Sequence, residues 1–234
     1  AGEIQILIGT HALIQKELTF KKLGFVVIDE QHRFGVDQRL CLSQKGEHVD
    51  CLSMTATPIP RTLMLASYGD LDTSQLREKP AGRKPIQTNT VSTDRLIEVV
   101  EGVKRSVSQG QKIYWVCPLV EESEKLDLAA AQDRFDFMEK QLPGQVGLIH
   151  GKMKPKEKEA VMKLFTLGVL TVLVATTVIE VGVDVPAATL MIIENAERLG
   201  VSQLHQLRGR VGRGHLKSYC VLLPSVLAWH NFTN

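Results

Sequence analysis

Apolar residues come along this chain in short unbroken runs, each ended by a polar turn. Ile4-Gln5-Ile6-Leu7-Ile8, Phe25-Val26-Val27-Ile28 and Asp50-Cys51-Leu52-Ser53-Met54 are the first three, and their length suits strands better than helices. The spacing predicts a strand at each, the second and third buried, with a short helical segment beginning near Ala12 and a short amphipathic helix over 36–43. A stretch crowded with charge and turn formers follows from Asp70 to Arg83, marked by Pro80, Gly82 and Pro85. Beyond it the pattern is regular. It predicts strand Ile86–Val91, helix Asp94–Ser108, strand Lys112–Cys117, helix Glu122–Lys140, strand Val146–Ile149, a lysine-rich helix start after Gly151, and strands Thr171–Ala175, Leu190–Ile193 and Tyr219–Leu223. Leu96, Val99, Val100, Val103 and Val107 recur at helical spacing, which gives the first long helix one apolar face. Continuous apolar strands alternating with helices predict an α/β fold with parallel sheets and right-handed crossovers. The domains expected are residues 1–83 and 84–224, with a divergent tail at 225–234.

Composition narrows the class only a little. With 44% apolar residues among 234, the chain can bury proper cores, and a net charge of +2 announces no strongly basic surface. No apolar run approaches the roughly 20 residues that span a bilayer, and the first residues lack the pattern of a signal peptide, so a cytoplasmic protein without a membrane partner is expected. Cys41, Cys51, Cys117 and Cys220 lack paired metal spacing and lie in or beside apolar stretches. Buried, reduced thiols are expected at all four.

The chemistry concentrates where the apolar runs stop. Phe25–Ile28 gives way to Asp29-Glu30-Gln31-His32, which places two adjacent carboxylates at the carboxyl edge of a parallel sheet, the edge at which such sheets bind ligands. One carboxylate there can hold a Mg²⁺ ion against phosphates while its neighbour orients a water; as a bare dipeptide, the pair could equally cap the next helix. Gly9-Thr10-His11 forms a small-residue turn whose exposed N–H groups can seat a phosphate, or simply a turn. Thr55-Ala56-Thr57-Pro58-Ile59-Pro60-Arg61 ends another strand in hydroxyls and an extended turn. His150-Gly151-Lys152 ends a third, with Lys154, Lys156 and Lys158 close behind; these lysines either neutralise phosphates or form a solvated face. Thr176-Thr177-Val178-Ile179-Glu180-Val181-Gly182-Val183-Asp184 places acids among apolar residues, which a plain connecting loop leaves unexplained. Finally, Gln206-Leu207-Arg208-Gly209-Arg210-Val211-Gly212-Arg213 sets glycines beside arginines, so that guanidinium forks can meet phosphate oxygens.

Taken in order, these segments resemble motifs Ib, II, III, V and VI of the superfamily 2 helicases, in the DExH form, with the His-Gly segment between motifs III and V. The nearest resemblance is to the RecG branch-migration helicase family; its relative that couples transcription to repair has Glu in place of Gln31. Asp70-Leu71-Asp72-Thr73-Ser74 and Glu121-Glu122-Ser123-Glu124 also favour the RecG type. The resemblance implies two RecA-like domains, the first incomplete at its N-terminus, holding ATP and Mg²⁺ between them. It further implies ATP hydrolysis driving the remodelling of forks and Holliday junctions in repair and recombination, with branched duplex DNA as the partner of a monomer. By this resemblance Asp29 holds Mg²⁺ and Glu30 activates water. Gln206, Arg210 and Arg213 complete the catalytic set, and Gly182 and Asp184 face the nucleotide. Thr10, His11, Arg61, Gly151, Lys152 and Thr176 lie toward DNA, and His32, Thr55 and Thr57 couple the two ligands.

No Gly-x-x-x-x-Gly-Lys-[Ser/Thr] loop occurs in the sequence, so the phosphate cradle of such motors is missing and the chain is expected to be a segment of a longer motor with little activity alone. Three other readings stay open: a non-catalytic DNA- or partner-binding remnant, the transcription-repair translocase, and a protein-translocating motor on the same fold.

Overall fold

The computed structural model of the chain describes residues 3–15, 17–30, 34–35, 38, 41–42, 44–55, 72–78, 82–118, 124–176 and 185–225. The chain separates into two compact units, residues 1–74 and 75–234, with the division inside the turn-rich connection rather than at its end.

In the first unit, β1 (Phe25–Ile28) and β2 (Asp50–Ser53) pair in parallel, with Phe25 opposite Asp50 and Ile28 opposite Ser53. Bonds from the Asp50 amide to the Gly24 carbonyl (3.0 Å) and from the Met54 amide to the Ile28 carbonyl (2.8 Å) extend the ladder at both ends. The expectation of buried strands fails here: Ile28 is buried, but Phe25 is 57% and Val27 51% exposed, as is much of Leu52. Residues opposite one another in a parallel pair share a face, so Phe25, Val27 and Leu52 line one side of the sheet, and no described residue covers it. Ile4 to Ile8 form no strand either. They enter no ladder among the described residues and stand in solvent, Ile8 being 91% exposed. A strand exists only by pairing, and apolar content without a partner cannot make one. One turn of 3₁₀-helix, His11–Ile14, follows them, and helical backbone recurs at Gln38, Cys41 and Leu42.

The second unit follows the sequence pattern closely. It contains β3 (Ile86–Thr90), α1 (Leu96–Ser108), β4 (Lys112–Val116), α2 (Glu124–Gln141), β5 (Val146–Ile149), α3 (Pro155–Leu167), β6 (Val172–Ala175), β7 (Ala188–Glu194), α4 (Val201–Arg208) and β8 (Ser218–Leu223). A 3₁₀ turn, Thr93–Arg95, enters α1, where the Ser92 hydroxyl accepts the Asp94 N–H at 3.3 Å. Pro155 opens α3, Glu157 accepts the Lys154 N–H at 2.9 Å, and Gly168 closes the helix at φ +85°.

The six strands form one parallel sheet in the order β3-β8-β7-β4-β6-β5. Alternate strand residues feed two cores. Tyr114, Val116, Leu173, Ala175, Met191 and Ile193 pack with Met162 and Phe165 of α3 and Leu207 of α4. Ile113, Trp115, Val172, Val174 and Ile192 pack with Val100 and Val103 of α1 and with Ala131 and Met138 of α2. Both faces are therefore covered, which is why these strands read as unbroken apolar runs. β7 exceeds its expected length at both ends and carries a bulge: Lys112 pairs with Ala188 and Ile113 with Leu190, leaving Thr189 as the extra residue.

All four cysteines are free thiols, but only Cys117 and Cys220 are buried; Cys41 is half-buried, and Cys51 is exposed on the open two-stranded sheet. Burial raises the thiol pKa of Cys117 strongly and pushes that of Cys220 up to about 11. Among the described residues no helix is long and apolar enough to cross a membrane.

Packing in the second unit is tight enough to test at one glycine. A Cβ on Gly147 of β5 would lie 2.8 Å from Leu170 Cδ1, 3.0 Å from Val161 Cγ1 and 3.2 Å from Leu173 Cδ1. Gly147→Ala should therefore lower stability by about 1–3 kcal/mol, seen as a lower urea midpoint at unchanged slope. An equal or higher midpoint would show that this core has room to spare.

Candidate nucleotide and nucleic-acid site

In the first unit the two carboxylates leave β1 through a kink. Asp29 is exposed, and its Oδ1 accepts the Glu30 N–H at 2.9 Å. Glu30 sits at φ +49°, a left-handed conformation that costs a non-glycine residue about 1–3 kcal/mol and so requires support from its surroundings. Thr10 precedes the 3₁₀ turn, its carbonyl accepts the Leu13 N–H at 3.0 Å, and its hydroxyl makes no capping bond. The His11 ring stacks on Phe34 with centroids 4.3 Å apart and planes 14° from parallel. Cys41 Sγ donates to the Ile14 carbonyl at 3.5 Å, and the Lys45 ammonium donates to the carbonyls of Gln15 and, at 2.7 Å, Leu18. Thr55 is half-buried just beyond β2. His32, Thr57 and Arg61 lie outside the described residues, as do Gly182 and Asp184 of the second unit.

In the second unit every strand points the same way, so the loops after β5, β6 and β7 gather at one edge. The Thr176 amide donates to the Ile149 carbonyl at 3.1 Å, which seats Thr176 beside His150-Gly151-Lys152. Two segments separated in sequence are thus brought together. Thr176 is buried, and neither its hydroxyl nor the buried His150 Nδ1 has a hydrogen-bond partner among the described residues. An unpaired buried polar atom costs about 1–3 kcal/mol, so these two are poised to gain from a ligand or water. Lys152, Lys154 and Lys156 are exposed around the start of α3, and the Lys158 ammonium donates to the Gly151 carbonyl at 3.1 Å. Burial, and then the charges of Lys158 and Lys152, hold the His150 pKa below its ordinary value, against a smaller opposing effect of Glu157.

The arginine-rich stretch begins on α4 and turns back toward β8. Gln206 lies on the helix, and Val211 beyond it is buried, which fixes the turn to the core. Gly212 at φ +73° is needed twice over, because an L side chain would be strained there and its Cβ would fall 2.9 Å from Ile86 Cγ1. Arg213 Nε donates to the Gly209 carbonyl at 3.1 Å, and an Arg208 nitrogen lies 2.8 Å from His205 Nδ1. Among the described residues the Arg210 guanidinium, half-buried, has neither hydrogen bond nor ion pair.

One polar cluster escaped the sequence reading. Glu194, the last residue of β7, accepts from both Trp115 Nε1 on β4 and Arg134 Nε on α2 through one carboxylate oxygen. The Arg134 guanidinium also lies 5.2 Å from the Trp115 ring centroid and 5.3 Å from that of Phe137. The signal was present, since an apolar run that stops at a carboxylate is the same pattern that drew attention to Asp29. This cluster joins two strand ends and a helix at the carboxyl edge.

Family models match both parts of the chain. The model of the helicase conserved C-terminal domain matches residues 92–215. The chain belongs to this helicase family. The DEAD/DEAH box helicase model matches residues 1–65. Across 229 residues the chain is 55% identical to the ATP-dependent DNA helicase RecG of Escherichia coli O127:H6, covering 95% of this chain and 33% of that protein. It is 57% identical over 228 residues to RecG of Haemophilus influenzae, with coverage of 95% and 33%. A solved structure of RecG bound to a three-way DNA junction matches with a TM-score of 0.73 at 47% identity, covering 97% of this chain and 30% of that one. The helicase chain is therefore of the RecG type within superfamily 2, and it spans about a third of the length of the curated relatives it matches.

The lowered His150 pKa has a testable sign. The unfolded chain takes up the proton at the ordinary value of 6.5 and the folded chain only below it, so His150 contributes full stability above that value and loses it as pH falls. His150→Gln removes the titration. Between about pH 7.5 and 5 its urea midpoint should fall less than that of the parent helicase chain; equal falls would remove His150 from the pH response.

Proposed function

We propose that the chain carries the catalytic carboxylates and the arginine segment of a RecG-type motor, in which ATP hydrolysis drives movement on duplex DNA and the remodelling of forks and Holliday junctions. The motor would act as a cytoplasmic monomer. The observation that carries this reading is the 55% identity to the RecG of Escherichia coli O127:H6 over 95% of the chain. The geometry supports it from both units.

In this reading Asp29 holds Mg²⁺. Its exposed carboxylate supplies hard oxygen at a strand's carboxyl end, and Mg²⁺ commonly uses one or two carboxylates together with waters and phosphate oxygens, so the donor chemistry fits. Held by Asp29, such an ion would supply positive charge that offsets the negative charge of the nucleotide phosphates. Glu30 orients and deprotonates the attacking water, and its strained backbone is the kind of outlier found at working sites. Gln206 senses the γ-phosphate, while Arg210 and Arg213 stabilise its developing charge; Arg210, with no partner among the described residues, has its fork available for phosphate oxygens. Loss of such a group costs roughly 10³ to 10⁵ in rate, about 4–7 kcal/mol at the transition state. Gly182 and Asp184 complete the nucleotide side. Thr10, His11, Arg61, Gly151, Lys152 and Thr176 face the DNA backbone, where the unpaired Thr176 hydroxyl can donate to a phosphate. His32, Thr55 and Thr57 couple the two ligands.

Two measurements test this. DNA binding by the chain should weaken linearly in log salt, and the Lys154→Gln, Lys156→Gln double variant should reduce the slope by about one to two, since each phosphate contact on B-DNA contributes about 0.9. A slope unaffected by the double change would remove these lysines from the footprint, and no binding at low salt would overturn the DNA reading. Because the sequence contains no glycine-rich phosphate loop, the chain alone should turn over little ATP. DNA-stimulated turnover that Glu30→Gln abolishes would overturn that expectation.

A further inference from the structure

α4 has a weak hold on the core. It runs for 8 residues, and of these Leu207 alone is fully buried. So short a helix is marginal by itself, and its placement depends on what holds its two ends. Val211, 1% exposed, anchors the far end. The near end hangs from the last residue of β7, along a path that is described without a break from Glu194 to Arg210. The Glu194 carboxylate accepts from Trp115 Nε1 on β4 and Arg134 Nε on α2. The next residue, Asn195, stands at φ +44° and ψ +43°, in the left-handed region that Asn enters more readily than most side chains. That step turns the chain out of β7 into the 3₁₀ turn Ala196–Arg198, where Ala196 is buried and the Glu197 carboxylate accepts the Ser225 N–H at 3.3 Å. Gly200 then opens α4, its N–H donating to Gln203 Oε1 at 3.1 Å.

We propose that Glu194 is a positioning residue for the arginine segment: locked on Trp115 and Arg134, it fixes the left-handed step at Asn195, the direction in which α4 departs, and so the places of Gln206 and Arg210. The proposal rests on the reading of those two residues as facing the γ-phosphate. Glu194 itself touches no phosphate and acts only through α4. Its carboxylate suits the task because two donors from different elements converge on one oxygen, whereas a single bond would leave the side chain free to swing about it. The Arg134 donor is held in turn, since its guanidinium lies 5.2 Å from the Trp115 ring centroid and 5.3 Å from that of Phe137. Both charged side chains are largely withdrawn from water, at 18% exposure for Arg134 and 17% for Glu194, so solvent competes little for these bonds.

The test is hydrogen exchange on the 234-residue chain without nucleotide or DNA. Glu194→Ala should speed amides of residues 199–211 by about tenfold and leave those of β5 and β6 within about twofold. Glu194→Gln keeps an oxygen for both donors and should return residues 199–211 to within about threefold of the unmodified chain. Arg134→Met, which leaves Glu194 with the Trp115 N–H alone, should speed the same amides by about threefold, and it decides the matter if Glu194→Ala does not fold. Labelling of Arg210 by phenylglyoxal, read by mass spectrometry, reports on the arginine directly. Millimolar tripolyphosphate should slow that labelling in the unmodified chain and in Glu194→Gln, but not in Glu194→Ala. If Glu194→Ala speeds β5 and β6 as much as 199–211, if it changes neither, or if Glu194→Gln fares no better than Glu194→Ala, the positioning role is wrong while the phosphate reading stands. If tripolyphosphate leaves Arg210 labelling unchanged in the unmodified chain, the phosphate reading fails, and the positioning role falls with it whatever the exchange pattern.

Discussion

The structure of the second unit depends on a parallel ladder covered on both faces. A parallel strand leaves its partners only by crossing over a face of the sheet, and each crossover brings a helix that buries that face. α1 and α2 cover one side, and α3 and α4 the other. Because all six strands run the same way, their carboxyl ends deliver His150, Thr176 and Glu194 to a common edge with no further instruction. The site is a by-product of direction: reversing one strand would move its loop to the opposite edge.

Local charge then distinguishes the positions on that edge. Glu194 is satisfied by Trp115 and Arg134, so its carboxylate is committed to holding β4, β7 and α2 together. His150 Nδ1 and the Thr176 hydroxyl lack such partners. The Thr189 hydroxyl is also unpaired and buried, but it sits at a bulge near the start of β7, away from the carboxyl edge. The two deficits differ in setting: one lies at the carboxyl edge of the sheet, and the other accompanies a local irregularity in the ladder.

What could be read from the sequence follows the same division. Val146–Ile149 was placed without error because a short apolar run between a helix and a His-Gly turn admits one interpretation. Asp29, His150 and Thr176 drew attention because each stands where an apolar run breaks. The exposure of Phe25, Val27 and Leu52 was not visible, since an apolar run states what a strand would like to bury and says nothing of whether a neighbour is there to bury it. Ile4 to Ile8 failed as a strand for the same reason. The Glu194 cluster was missed because Trp115 and Arg134 lie 79 and 60 residues away along the chain, a separation no local pattern encodes. Thr189 escaped because a bulge is a property of two registers, and one strand alone does not reveal it.

The two-stranded sheet of the first unit has a further consequence. Among the described residues both β1 and β2 are edge strands, and none covers the face carrying Phe25, Val27 and Leu52, so backbone donors and acceptors stand beside an exposed apolar surface. Such a surface is adhesive in the colloidal sense. Strand edges and apolar faces left open in this way favour cohesion between copies at high concentration.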